Sequence, residues 1–158
     1  MSMTLNPVNE AAFQKAVQSL ETLNRAAVFH PTGTGKSCIA WKVVEAHPQT
    51  TFFWLVAGAQ RLALRQAELT RYNGGTLPGN VRFCDCEKLA AATPEQWVRL
   101  GEQKPGCIVL DCYHELSAVC WAQSVQKLLR MCPQAKVLGL GVPNGAPVCA
   151  AAQELFAD

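Results

Sequence analysis

Charge of either sign is scarce in this chain. Only 16% of its 158 residues are Asp, Glu, Lys or Arg, and the formal net charge is +2. A protein that binds nucleic acid mainly by neutralising phosphates carries a larger basic excess or a clear basic stripe, so charge alone names no such partner. No apolar run approaches the length needed to span a bilayer, so a soluble protein with no membrane partner is expected. Met1 to Pro7 has neither a basic start nor an apolar core, so no secretory signal is read there. Without one, the 8 cysteines are expected to be reduced thiols of a cytoplasmic protein, most of them small core hydrophobes. Cys84-Asp85-Cys86 is the only close pair, and with no second pair or nearby histidine it makes a poor zinc site. Internal repeats and low-complexity segments are also missing.

The hydrophobic content is ample, at 49%, enough for the core of one domain over residues 1–158. Apolar residues at helical spacing (Ala12, Phe13, Ala16, Val17, Leu20) predict a leading helix over 8–23, and the core would follow over 25–158. An apolar strand ends at Phe29. Helices are then expected over 38–46 (stopped by His47-Pro48), 62–72, from Thr93-Pro94-Glu95 to Leu100, 119–131 and 148–156. Strands are expected over 51–57, 81–84, 107–110 and 136–140. Strands that alternate with helices, and that are apolar throughout, predict an α/β fold with a mainly parallel sheet and helices on both faces, a three-layer arrangement.

Between the first strand and the helix after it lies His30-Pro31-Thr32-Gly33-Thr34-Gly35-Lys36-Ser37. Glycines allow a tight turn whose N–H groups face phosphate oxygens, and the helix behind adds its positive N-terminal end. In such a loop Thr32 to Ser37 cradle a nucleotide, Lys36 reaches the β- and γ-phosphates and Ser37 offers its hydroxyl to Mg²⁺. His30 stands where the usual pattern has its first glycine. Parallel sheets bind ligands at the carboxyl ends of their strands, where Asp111 would also lie. A carboxylate there suits the Mg²⁺ half of the site; the plainer role is a turn or helix cap.

The order of leading helix, strand, T-G-T-G-K-S, apolar strand, Val109-Leu110-Asp111-Cys112-Tyr113-His114 and Val137-Leu138-Gly139-Leu140 resembles the first, ATP-binding domain of superfamily 2 helicases. The likeness is to the DEAD/DEAH-box group related to type III restriction and excision-repair helicases, and runs from about Asn9 to Phe156. It implies a RecA-like P-loop fold, ATP and Mg²⁺ as ligands, and DNA as a partner. It also implies a second helicase domain, absent from these 158 residues or carried on another protein chain. Lys36 and Ser37 match the family's phosphate and magnesium ligands, Asp111 its magnesium-linked aspartate, and His114 the position that couples nucleotide state to the next motif.

Three departures bear on activity. The water-activating glutamate is replaced by Cys112, and a thiol cannot polarise water as a carboxylate does. Glu115 would need a shifted strand end to stand in as base. Slow or absent hydrolysis is therefore expected. Gly141-Val142-Pro143 stands where the family has hydroxyl residues that couple ATP to nucleic-acid grip. Phe83-Cys84-Asp85-Cys86 puts an aspartate near the place of the nucleic-acid backbone, where it would repel phosphate. Asn9, Glu10 and Gln14 all compete as the adenine reader. Arg61, Arg65 and Arg71 are expected on a solvated helix face, with Glu68 diluting their charge. Trp41, Trp54, Trp97 and Trp121 are expected in the core. A non-catalytic, nucleotide-dependent interaction module is the alternative function. A small P-loop kinase fits less well, because no arginine-rich lid segment follows.

Overall fold

Strands with no polar alternation are buried on both faces, and the two central ones here follow that rule. In the computed structural model, which describes residues 4–29, 35–111 and 119–141, Phe52–Val56 and Cys107–Asp111 are buried at every position. The elements run α1 (Pro7–Leu23), β1 (Arg25–Phe29), α2 (Lys36–Ala46), β2 (Phe52–Val56), α3 (Ala59–Tyr72) and β3 (Val81–Asp85). They continue with α4 (Cys86–Ala90), α5 (Pro94–Glu102), β4 (Cys107–Asp111), α6 (Val119–Met131) and β5 (Lys136–Gly141). The five strands form one sheet in the order β1-β5-β4-β2-β3. All four pairings are parallel.

Strand order and handedness together dictate the layers. From β1 the chain steps across to β2 and on to β3, then returns through β4 to β5. Because crossovers between parallel strands are right-handed, outward and return steps place their helices on opposite faces. One face accordingly packs Ala16, Leu20, Ile39, Val43 and Leu69 of α1, α2 and α3 against Trp54 and Val109. The other packs Leu89, Trp97, Val125 and Leu128 of α4, α5 and α6 against Phe53, Leu55 and Ile108. The expected three-layer α/β architecture is present, with its sheet parallel throughout.

Local chemistry sets the helix ends. Asn6 caps α1 by accepting from Asn9 N–H at 2.8 Å, and Pro7 occupies the first turn where its missing donor costs nothing. Thr93 and Gln96 close a reciprocal capping box on α5. At the end of α2 the ring Nδ1 of His47 lies 2.8 Å from Val43 O. One element was not anticipated: α4 spans five residues, too few to show a helical period. The helix expected over 148–156 lies outside the described residues.

Candidate functional site

The first turn of α2 stands at the carboxyl edge of the sheet, following β1. Gly35 is its N-cap, in the left-handed region at φ 91°, and so Lys36 and Ser37 open the helix two residues earlier than its apolar pattern indicates. They fall in the first turn of the helix, where N–H groups and the positive dipole end attract phosphate. A side chain at 35 also meets a second obstacle. A Cβ there would come within 2.9 Å of Asn9 Nδ2. Asn9, 7% exposed on α1, is thereby fitted against Gly35. Glu10 and Gln14 instead pair with each other at 3.0 Å on the exposed side of the helix. Of the three competing side chains, the structure puts Asn9 beside Gly35.

Asp111 ends β4 on the face covered by α3 and is 3% exposed. Its Oδ2 accepts from the indole Nε1 of Trp54 at 2.9 Å and from Arg65 Nε, and its Oδ1 accepts from Arg65 Nη2 at 3.3 Å. The pairing is bidentate, the strongest geometry open to a carboxylate and a guanidinium. Glu68, one turn further along α3, accepts from Arg65 Nη1 with both oxygens at 3.2 Å. Arg65 therefore does not lie on a solvated face as its sequence neighbourhood indicated. Arg61 and Arg71 do. A charge pattern places a residue around a helix, but cannot say that a carboxylate from a distant strand will lie beneath it.

Ser37 Oγ lies 3.3 Å from the hydroxyl of Tyr72. Burial raises the Tyr72 pKa above its ordinary value, with a contribution from its hydrogen bond with Cys38. Arg65, Glu68 and Tyr72 share one stripe of α3 at spacings of three and four. Ser37 and Asp111 are thus fastened to points on α3 about 10 Å apart along its axis, and no hydrogen bond joins them. As a cradle for Mg²⁺ this donor set fits poorly. Both oxygens of its carboxylate are committed to a cation already, and among the described residues no group of three or more His, Cys, Asp or Glu side chains is placed to hold a metal.

Asp85 has a different role from the one its position suggested. It is 5% exposed, accepts from Glu87 N–H at 3.0 Å as the cap of α4, and accepts from Gly58 N–H at 3.2 Å. Its charge is turned inward onto backbone donors. Cys84, Cys86, Cys107 and Cys132 are buried free thiols, as expected of core residues, and burial pushes Cys84 and Cys107 up to about 12. Trp41, Trp54 and Trp97 are core residues as well; the side chain of Trp121 lies outside the description. So do His30, Thr32, Gly33, Thr34, Cys112, His114, Glu115, Val142 and Pro143.

Among the described residues no helix is long and apolar enough to cross a membrane. No protein-family model matches the chain, and a search of curated proteins finds no match.

Proposed function

We propose that this chain is a nucleotide-binding domain of the P-loop type, with ATP as its ligand and little or no hydrolysis of its own. One observation carries the reading: Gly35, left-handed at φ 91°, starts a helix on Lys36 and Ser37 at the carboxyl edge of an all-parallel sheet. Strand, glycine turn and helix N-terminus in that order make an anion site from backbone alone, and Lys36 adds a charge at the first helical position. The loop from Thr32 to Ser37 is the proposed phosphate cradle. A RecA-like helicase-type domain is the finer form of the same proposal, with DNA and a second helicase domain as its partners. Its support is the sequence pattern of Asp111, Cys112 and His114.

Catalytic weakness follows from the residues. Cys112 holds the place of the water-activating carboxylate, and Asp111 is bound to Arg65, which favours an interaction module over a motor. Isothermal titration with ATP tests the reading. Binding that Lys36→Ala abolishes supports it; no heat at millimolar ATP rejects it. Measurable ATPase gained by Cys112→Glu would show that hydrolysis lacks only the carboxylate.

A further inference from the structure

The carboxylate expected to hold a divalent cation is already neutralised by a cation the chain itself supplies. Asp111 takes three N–H donors on its two oxygens: Trp54 Nε1, Arg65 Nε and Arg65 Nη2. Arg65 is in turn held by Glu68, and its side chain is only 18% exposed. A guanidinium is always charged and cannot yield its place by losing a proton. Mg²⁺ demands a near-octahedral shell of hard oxygens about 2.1 Å away. At Asp111 it would have to displace one of these donors or share an oxygen with it, and in either case it would stand beside a guanidinium. Ser37, the other expected ligand, is held by Tyr72 on a different turn of α3.

We propose that nucleotide phosphates bind to this chain without a divalent cation, because Arg65 permanently occupies the carboxylate that would recruit one. Arg65 is a positioning residue in this account: it acts through Asp111. Phosphate charge is met instead by Lys36 and the N-terminal donors of α2. The inference rests on the phosphate-loop reading above and deepens it.

The test is calorimetric titration of the whole chain with ATP in excess EDTA and again in excess Mg²⁺. The expected dissociation constants agree within about threefold. In Arg65→Met the Asp111 charge is released, so Mg²⁺ is expected to tighten ATP by about tenfold or more over EDTA. Wild-type binding that appears only with Mg²⁺ overturns the proposal and leaves the phosphate-loop reading standing; binding under neither condition overturns both. Equal affinities in both conditions for Arg65→Met would remove Arg65 from the account. The wild-type comparison needs no variant, so the decision does not wait on the folding of Arg65→Met.

Discussion

Arg65 and Asp111 stand 46 positions apart in the chain and meet as a two-point ion pair beneath α3, with the indole of Trp54 as a third donor to the same carboxylate. A buried pair of this kind contributes little over a well-packed apolar one, because both ions were desolvated to make it. Its consequence is that neither partner tolerates loss of the other.

Arg65→Met should lower the unfolding free energy by about 3–5 kcal/mol at neutral pH, since it strands a buried carboxylate. Urea denaturation measures it. Adding Asp111→Leu in the same chain should recover most of the loss. A single-variant loss below about 1 kcal/mol would mean that water, not Arg65, solvates Asp111.

Gly35→Ala should destabilise by about 1–2 kcal/mol through its left-handed backbone alone, with a further cost from the 2.9 Å approach to Asn9 Nδ2. Adding Asn9→Ala should return the steric part and leave the backbone part. Full recovery in thermal melts would show that φ contributes nothing at this position.

Asp85→Ala removes the acceptor for Glu87 N–H and Gly58 N–H. A lost cap costs about 1–2 kcal/mol. Asp85→Asn keeps a side-chain oxygen in place and should lose less than half as much. Equal losses for the two variants would assign the effect to charge, not to capping.

Alkaline pH should unfold the protein early. Burial raises Cys84 and Cys107 from 9.0 to about 12, so in the folded state they keep their protons while the unfolded chain gives them up. Their contribution is complete below pH 9 and is lost as pH rises toward 12. The urea midpoint should therefore stay level with respect to these thiols up to about pH 8 and fall beyond about pH 9. Cys84→Ala and Cys107→Ala should each flatten that fall. The same burial makes both thiols slow to alkylate in the native protein at pH 8, and fast labelling there would contradict it.

Much of the fold is legible in short stretches. Phe52 to Val56 and Cys107 to Leu110 are apolar without alternation, so they read as buried strands. Thr93-Pro94-Glu95-Gln96 carries a helix start in four residues. The glycine turn before Lys36 could be assigned from its neighbours alone. Helix α4 was missed because five residues carry no period. Its cap, Asp85, read as a charge that would repel nucleic-acid phosphate for the same reason: a cap is recognised by the helix that follows it.

The sequence by itself determined what a few consecutive residues can encode: element types, most helix ends, a parallel α/β arrangement and the glycine turn that opens α2. Tertiary structure alone decided the strand order, and with it the neighbours of every charged group. Because β4 lies between β5 and β2, Asp111 falls under α3 and is met by Arg65 and Trp54, and α1 brings Asn9 against Gly35. Such contacts are encoded in no local pattern. They depend on which strands pair, and strand pairing is settled by burying all the apolar faces at once.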